Sequence, residues 1–545
     1  MSRSATTTRR ILLVYPRNAR AHWRGASRLM KSILGKDSVF LSATLPTIAA
    51  LTPPEFEIDI VDELLSPIDP GRKYDLVGIA SAATELLRAK ELAREMRARG
   101  SLVVIGGASV STGPQRWREV GDVLILGEAE RIWPKFLADY LSGRHAPEYR
   151  ESERFDLSES PVPDYRPIPR EIRARYSSGL VQTSRGCRFR CDFCAVGPYL
   201  GNRLRYKTAD RVVAEVEQLY GMGLRSVFLA DDNFSGDRDK AKAILEGLRE
   251  FNRRQRHPVV FNTQIAIDVA DDDELLELAA EAGLTRVLIG IDAITPESLR
   301  DAKKAPNIGR DVVADLTKIH RHGILTVAGM IVGFDHDDLS TFGKHFEFCQ
   351  GQGLPIIQVA ALQALDGTTL KERMVREGRY VDWDRACLVD PKDASSFNTF
   401  TMVPDRMTVP QLQQGVLWLL WNLCRLDHVA ARLDRFFADY ESGPRSMRPA
   451  GGSLWPDPGK LGAALRFLRY VALETDGGER RALLGMLGRA LSSSHPQRME
   501  IALFSFLSAR ATQEVLLAEM PTISRIECPR EPEAASPTGP GAIGR

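Results

Sequence analysis

The first 142 residues alternate short apolar runs with amphipathic stretches. The apolar runs predict strands at Ile11–Pro16, Glu57–Asp62, Leu76–Ser81, Leu102–Gly107 and Val123–Glu128. Because most of these runs are continuously apolar and lie between helical patterns, we expect a parallel sheet buried on both faces. Five such strands predict an α/β domain over residues 1–142, doubly wound and flavodoxin- or Rossmann-like. Its ligand site is expected at the carboxyl ends of the strands.

A second series of strands and helices follows a proline-rich linker over residues 143–175. Strands are predicted at Leu180–Thr183, Ser226–Asp231, Val259–Gln264, Arg286–Asp292, Leu325–Val332 and Ile356–Leu362. Helical stretches separate them, so residues 176–378 are predicted to form a partial (β/α)6 TIM-like barrel. Chemistry in such barrels is placed at the carboxyl ends of the strands.

From residue 379 the apolar positions recur at helical spacing, which predicts a mostly helical domain over residues 379–525. The Pro/Gly-rich tail, residues 526–545, is expected to be disordered. We find no apolar run of the roughly 18–20 residues that a transmembrane helix needs. The apolar stretch Val416–Leu423 is either part of the core or a wall of the substrate cavity. In the second case an apolar lipid or ring substrate follows.

Composition and charge narrow the classes of partner and the cellular location that the sequence allows. The length of 545 residues suits about three domains. A net charge of +2 gives no global attraction to nucleic acid, so no nucleic-acid partner is expected. Seven cysteines, an odd number and clustered on one side, argue against a secreted disulfide framework. A cytoplasmic location is therefore predicted.

Three of the cysteines lie within eight residues, with the spacing C-x3-C-x2-C: Cys187, Cys191 and Cys194. Thiolates bind soft metals and iron–sulfur clusters. Three thiols cannot complete a tetrahedral zinc site alone, whereas on a four-iron cluster they leave one iron open, as catalysis requires. The other four are isolated and are expected to be small core or surface residues: Cys349, Cys387, Cys424 and Cys528.

This loop, with Phe193 before its last cysteine and a predicted barrel strand before it, resembles the signature loop of the radical S-adenosylmethionine (radical SAM) superfamily. The resemblance implies a [4Fe–4S] cluster on the three cysteines and SAM bound to the fourth iron. It also implies reductive cleavage of SAM to methionine and a 5′-deoxyadenosyl radical. The electron is expected from an external donor such as flavodoxin or ferredoxin.

Other barrel segments are similar to motifs of the same superfamily. FLADDNFSG ends the second strand, where relatives contact the methionine amino group, and GMIVG resembles the fifth-strand motif beside adenine. The SAM-binding residues implied in this way are Phe193, Asp231, Asp232, Asn233, Gln264, Asp292, Gly329 and Gly333. The polar members could instead only cap turns. Relatives more often carry glutamate at the place of Asp292, and their acidic residue after the fifth strand falls near Asp335 and His336.

Small-residue turns end three strands of the first domain: SAAT, GGAS and GEAE. They could be ordinary turns. However, a doubly wound domain directly before a radical SAM barrel resembles the cobalamin-binding domain of cobalamin-dependent radical SAM enzymes. The cobalamin contacts implied are Ser81, Thr84, Gly106, Gly107, Ala108, Ser109, Gly127 and Glu128. The cobalt-ligating D-x-H-x-x-G motif is absent, as in many of these relatives.

Within that family the chain is most similar to the hopanoid C-2 methylase group, on VYPRNARAHWRGASRLMKS and MIVGFDHDD. The resemblance implies a C-methyltransferase in which the radical activates an unactivated carbon of a small molecule and methylcobalamin supplies the methyl group. Two alternatives remain: a cobalamin-dependent cyclisation or rearrangement, and a non-catalytic iron–sulfur electron carrier. No catalytic acid or base is identified.

Overall fold

The computed structural model describes residues 9–17, 28–81, 85–382, 400–443, 458–495 and 497–529. Its strands are β1 Arg9–Tyr15, β2 Ser38–Leu41, β3 Phe56–Asp62, β4 Leu76–Ala80, β5 Leu102–Gly106, β6 Val123–Leu126, β7 Glu148–Arg150, β8 Tyr176–Val181, β9 Ser184–Arg185, β10 Arg205–Tyr206, β11 Ser226–Leu229, β12 Val260–Ile265, β13 Leu284–Asp292, β14 Leu325–Val332 and β15 Ile356–Ala361.

The helices connect and cover these strands. They are α1 Arg28–Leu34, α2 Thr44–Ala50, α3 Leu86–Ala98, α4 Ala108–Thr112, α5 Ala129–Leu141, α6 Arg170–Arg173, α7 Val196–Leu200, α8 Ala209–Gly221, α9 Arg238–Arg253, α10 Asp273–Ala282, α11 Pro296–Asp301, α12 Val312–Arg321, α13 Thr341–Gly351, α14 Thr369–Arg376, α15 Val409–Leu423, α16 Leu426–Glu441, α17 Pro458–Leu473, α18 Gly477–Ser492 and α19 Arg498–Glu519.

The first sheet is parallel, with the strand order β3-β1-β4-β5-β6-β7. This is the flavodoxin-like order extended by one strand, so the predicted doubly wound sheet is confirmed. Side chains of β1 alternate between two hydrophobic cores: Ile11 and Leu13 enter one, Leu12 and Val14 the other. The strand is therefore buried on both faces. The added strand β7 lies within the predicted linker.

The second sheet is also parallel, in the order β15-β14-β13-β12-β11-β8-β2, and curls into a half-barrel. All six predicted strands are present. The edge strand β2 comes from the range predicted for the first domain and pairs with β8, with Phe40 opposite Ser178. Sequence analysis missed β2 because four residues without a clear alternation carry little strand signal.

The two faces of the half-barrel differ in burial. Its outer face packs on the helices. The side chains on this face are buried, among them Val181, Val227, Leu229, Val287 and Ile289. Side chains of neighbouring positions point to the inner face, and in four central strands they are only half-buried: Leu180, Phe228, Leu288 and Val327. A TIM-barrel interior is normally filled by side chains. The half-exposed apolar residues here show that the inner face borders accessible space.

The C-terminal unit is helical in its described residues, as predicted. Helix α15 packs on β15 and α13, and a Cβ at Gly415 would lie 2.2 Å from the Phe342 ring. Five residues of the apolar stretch are buried in the core: Val416, Leu417, Leu419, Leu420 and Leu423. The interpretation of Val416–Leu423 as core therefore holds. The chain after α19 continues over this unit, and Gln414 Nε2 donates to the carbonyl of Glu527 at 3.0 Å.

Helix α19 corrects one expectation. By length and composition alone, Arg498–Ala518 could cross a membrane, although the sequence was expected to contain no such run. Of its most apolar window, 44% is buried inside the protein, including Ala502 and Phe506 in the core of the helical unit. A core helix passes the same test, so this is weak support for a membrane span.

Candidate active site

The cysteine loop is closed at its base by a short antiparallel pair. Strand β9, directly before the loop, pairs with β10, with Arg185 opposite Arg205. Gly186 has φ +91°, and a Cβ there would lie 2.7 Å from the carbonyl oxygen of Arg203. Only glycine allows the backbone at position 186 to approach the Arg203 carbonyl this closely. The loop therefore leaves the carboxyl end of β8 in a fixed direction.

The three loop thiols are free and partly exposed. Burial raises the pKa of Cys191 to about 12 and also raises the pKa values of Cys187 and Cys194. Such thiols become thiolate ligands only when a metal replaces the proton. Among the described residues, no three His, Cys, Asp or Glu side chains surround one metal ion, as a structural zinc site requires. The cysteines of a four-iron cluster each bind a different iron, which the donor set fits.

Asp231 fastens the end of β11 to the start of the cysteine loop. Its carboxylate accepts hydrogen bonds from the backbone N–H of Thr183 at 2.8 Å and of Ser184 at 2.7 Å, and from the Thr183 hydroxyl. The side chain is fully enclosed. Asp231 was predicted to bind SAM; here three hydrogen bonds hold its carboxylate against the end of β8 and the start of the loop, an arrangement suited to a positioning role.

Asp232 and Asn233 lie closer to the thiols. Burial raises the pKa of Asp232 to about 6, and its charge raises the pKa values of Cys187 and Cys194, so it faces the loop. Asn233 accepts from the N–H of Ala266 at 3.1 Å, and its buried Nδ2 has no hydrogen-bond acceptor. Asp232 accepts from the Gly186 backbone N–H, and Asn233 retains an unpaired N–H donor near Cys187.

An ion pair that sequence analysis missed ends β13 beside the thiols. Lys304 Nζ lies 2.6 Å from Asp292 Oδ2, and the positive charge of Lys304 opposes the raised pKa of Cys191. Asp292 has φ +62°, and a Cβ at Gly290 would lie 2.9 Å from Lys304 Nζ. Lys304 stands in a loop without a recognisable motif, so only the fold brings it here.

The remaining predicted SAM residues also lie around the carboxyl edge of the half-barrel. Gly329 pairs with Gly290, which leaves a bare patch of backbone, and Gly333 follows β14 with φ +105°. The Phe193 ring packs edge-on against Phe334 at 6.0 Å between centroids. Gln264 is half-buried near the end of β12.

The acidic residues after β14 have other partners. Asp335 pairs with Arg379 at 2.7 Å and with Arg373, and His336 contacts Asp301. Asp337 was not predicted, but it holds the Gly333 turn by accepting from the Gly333 N–H at 2.8 Å. The acidic side chains that follow β14 are therefore engaged with other groups of the protein.

The carboxyl edge of the first sheet is built mainly from backbone. Gly107 has φ +130°, and a Cβ there would lie 2.3 Å from the carbonyl oxygen of Ser81. Ser109 Oγ donates to the same carbonyl at 3.3 Å, and the Gly127 N–H donates to Ser111 Oγ at 2.9 Å. Gly106 ends β5 and Ala108 begins α4. Thr84 lies outside the described residues.

Glu128 does not present its side chain to this edge. The side chain is 2% exposed and forms ion pairs with Arg185 at 3.2 Å and with Arg205. Arg185 also pairs with Glu130 at 2.5 Å. Glu128 was predicted to contact cobalamin, but its carboxylate instead links the first domain to the base of the cysteine loop. Only its backbone remains for a ligand.

The carboxyl edges of the two sheets meet. Helix α4, which follows β5, packs against α7, which follows the cysteine loop. A Cβ at Gly367, after β15, would lie 3.1 Å from Pro198 Cβ and 3.8 Å from Thr112 Cβ. Arg116 and Asp366 add an ion pair of 3.1 Å across the same boundary. The glycine turns and the cysteine loop therefore lie on facing sides of one junction.

Comparisons with known proteins agree with this arrangement. Residues 181–349 match the model of the radical SAM superfamily. An uncharacterized methyltransferase of Synechocystis sp. is 32% identical over 378 residues, covering 68% of this chain and 69% of the relative. The hopanoid C-2 methylase of Rhodopseudomonas palustris is 28% identical over 391 residues, covering 70% of this chain and 73% of the relative.

Solved structures show the same fold. The radical SAM methyltransferase TsrM from Kitasatospora setae, with cobalamin and a [4Fe-4S] cluster bound, has a TM-score of 0.60 at 18% identity and covers 93% of this chain and 100% of its own. The cobalamin-dependent enzyme OxsB has a TM-score of 0.59 at 14% identity, covering 95% and 81%. The predicted enzyme class and cofactors are those of this group. The chain belongs to the family of cobalamin-dependent radical SAM methyltransferases.

Proposed function

We propose that the protein methylates an unactivated carbon of a small, largely apolar molecule bound between its two cofactor sites. The observation that carries this proposal is the junction of the two carboxyl edges. A glycine-lined edge suited to a large flat ligand and a three-thiol loop suited to a cluster face one another across α4 and α7. When bound, cobalamin carries the methyl group and the cluster with SAM supplies the radical chemistry.

The residues of the chain divide the work of holding these groups. Cys187, Cys191 and Cys194 would ligate the cluster and leave one iron open for SAM. Asp232 offers a carboxylate to the SAM ammonium group, because its position beside the thiols lets it pair at short range. The missing side chain at Gly329, where an added Cβ would meet no atom closer than 3.7 Å, leaves room for a flat ring.

The first-sheet edge would hold cobalamin through shape and backbone. Gly107 and Gly127 have positive φ values, and neither adds a side chain to its turn, although the Glu151 side chain packs against Gly127. Ser81 and Ser109 add small polar groups at the same place. A rigid planar macrocycle needs a flat surface of this kind more than it needs charged partners.

The inner face of the half-barrel supports the choice of substrate class. Apolar side chains there are half-exposed in the central strands, and a cavity lined in this way gains free energy by burying an apolar ligand. Relatives bear names that place their action on compounds as different as hopanoids, bacteriochlorophyllide d and tryptophan, so the substrate class proposed here rests on the inner face of the half-barrel. The external electron donor and the cytoplasmic location remain predictions.

The test needs no substrate. The protein is reconstituted anaerobically with iron, sulfide and cobalamin, reduced, and supplied with SAM, and methylcobalamin and S-adenosylhomocysteine are quantified. Equal amounts of the two products are expected. Cobalamin binding and 5′-deoxyadenosine formation without methylcobalamin would instead favour a cyclisation or rearrangement. A bound cluster that does not cleave SAM would favour an electron carrier.

A further inference from the structure

Arg286 is a largely buried cation on the inner face of the half-barrel, with part of its surface still accessible. It lies on β13, and its Nε donates to Asn262 Oδ1 of the neighbouring strand β12 at 2.7 Å. Its Cζ lies 3.7 Å from the centroid of the Phe504 ring, on α19. In the part of the chain that the structure describes, no carboxylate pairs with it. Burial alone lowers the pKa of Arg286 to about 10.

A second buried arginine shows what a structural guanidinium looks like in this protein. Arg432 is 1% exposed, and its Nε donates to the carbonyl of Leu354 at 2.6 Å and its Nη2 to that of Leu423 at 2.5 Å. Gln350 accepts from its Nη1. Arg432 thus ties helix ends together, whereas both terminal nitrogens of Arg286 have no hydrogen-bond acceptor among the described residues.

An unmatched guanidinium in the interior is costly, because its hydration is lost without a full replacement. Stacking on Phe504 offsets part of this cost, but it leaves the in-plane N–H donors free. Arg286 is also partly exposed, unlike Arg432, so these donors reach the space inside the half-barrel. A planar donor pair of this kind matches the two oxygens of a carboxylate or phosphate.

The position of Arg286 on β13 sets its distance from the cysteine loop. Asp292, beside the cysteine loop, lies six residues further along β13, which is about 20 Å at the rise of a parallel strand. The inner face between them carries Leu288 and Gly290 and no charged residue. Helix α19 closes the opposite end through Phe504. The space therefore has an apolar wall, a cation at its closed end and the thiols at its open end.

We propose that Arg286 is the receptor for a single anionic group, a carboxylate or a phosphate, on an elongated and otherwise apolar substrate. This inference rests on the proposed function, because it uses the same cavity. It adds that the substrate is an amphiphile whose anion lies at the bottom of the barrel and whose reacting carbon lies near the top.

The test compares three probes that differ only in the head group: dodecanoate, dodecyl phosphate and dodecanol. Their affinities for the reconstituted protein are measured by equilibrium dialysis, below the concentrations at which they form micelles. We expect the better anion to bind at least tenfold more tightly than the alcohol, and the two anions identify the head group. Equal affinities of all three probes would overturn the proposal.

Variants locate the site. R286Q is expected to lose the preference for the anion while its affinity for dodecanol stays within twofold. N262D places a carboxylate beside the guanidinium and is expected to remove the preference without loss of thermal stability. The matched control is R225Q, because Arg225 also stacks on an aromatic ring, at 3.7 Å from Tyr220, but donates to backbone carbonyls on the outer side. If R286Q weakens the binding of all three probes equally, Arg286 has a structural role and does not bind the anion.

The two proposals can fail separately. Methyl transfer from SAM to cobalamin requires no substrate, so R286Q should form methylcobalamin and S-adenosylhomocysteine at the rate of the unchanged protein. A protein that prefers anions but forms no methylcobalamin would overturn the proposed function and keep the anion site. A protein that forms methylcobalamin without any anion preference would do the reverse.

Discussion

The carboxyl edges of the two parallel sheets face one another but are built from different materials. The first edge consists of glycines, serines and backbone groups, and its acidic side chains are held in ion pairs: Glu128 with Arg185 and Arg205, and Glu151 with Arg154. The second edge carries thiols, Asp232 and the Asp292–Lys304 pair. The same topology therefore supports two kinds of site: one that recognises a ligand by shape and one that holds it by covalent bonds and charge.

This difference has a physical reason. A macrocycle offers a wide rigid surface, so small residues that leave the backbone bare are sufficient to bind it. A cluster offers only a few irons, so each ligand must be a particular atom at a particular place. At the second edge, removal of a single ligand atom should therefore abolish function. At the first edge, substitutions should instead weaken ligand binding by filling space or straining the backbone.

The largest effect is expected from Cys191→Ala. Loss of one of three cluster ligands should abolish SAM cleavage to 5′-deoxyadenosine, with iron and sulfide content falling in parallel, while cobalamin binding on the other edge remains. The matched control is Cys349→Ala, because Cys349 is buried in the core and is not predicted to be a cluster ligand. Retention of a full cluster by Cys191→Ala would refute the ligand assignment.

Glu128→Gln should have the next largest effect, on stability. Removing this charge leaves Arg185 and Arg205 buried with fewer partners, and breaking a buried ion pair typically costs about 3 kcal/mol or more. Chemical denaturation measures the change. Glu57→Gln serves as the control, because its ion pairs with Arg10 and Arg72 are exposed and should contribute little.

Glu128→Gln also sharpens the comparison of the two edges. If the variant keeps its stability but loses affinity for cobalamin, Glu128 contacts the cofactor directly, as the sequence resemblance implies. If it loses stability while the affinity of the folded protein for cobalamin is kept, the residue links the two domains. The structure favours the second result.

Gly107→Ala tests whether the first edge works through shape. An alanine Cβ would meet the Ser81 carbonyl at 2.3 Å in a backbone conformation that L-residues avoid, which costs about 1–3 kcal/mol. We expect weaker cobalamin binding, measured spectroscopically, with normal cluster content. Gly343→Ala is the control, since its added Cβ meets no atom within 4 Å. Unchanged cobalamin affinity in Gly107→Ala would contradict the assignment.

The sequence predicted the parts of this protein that depend on local patterns. Apolar runs identified five of the six strands of the first sheet and six of the seven of the second, and the cysteine spacing identified the loop, because both signals are complete within a few residues. The resemblance to a known family then supplied the cofactors. Strand β2 was missed because its four residues carry little local signal, and its pairing with β8, 138 positions further along the chain, is not encoded in them.

Side-chain partners could not be predicted for the same reason. The roles of Glu128, Asp231 and Lys304 depend on which strands and loops become neighbours, and a local motif does not encode this. Adjacent aspartates illustrate the limit: Asp231 and Asp232 are equivalent in the motif, but strand geometry turns one toward β8 and the other toward the thiols.

That pair gives the smallest and most specific prediction. Asp232→Asn should weaken SAM binding by about tenfold, because a charge-assisted hydrogen bond becomes a neutral one, and should leave stability unchanged. Asp231→Ala should instead lower stability, since the buried N–H groups of Thr183 and Ser184 would lose their shared acceptor, Oδ1. Equilibrium dialysis with SAM and thermal denaturation separate the two effects. If both variants weaken SAM binding equally without loss of stability, both carboxylates contact SAM, and the division between a positioning and a binding aspartate is wrong.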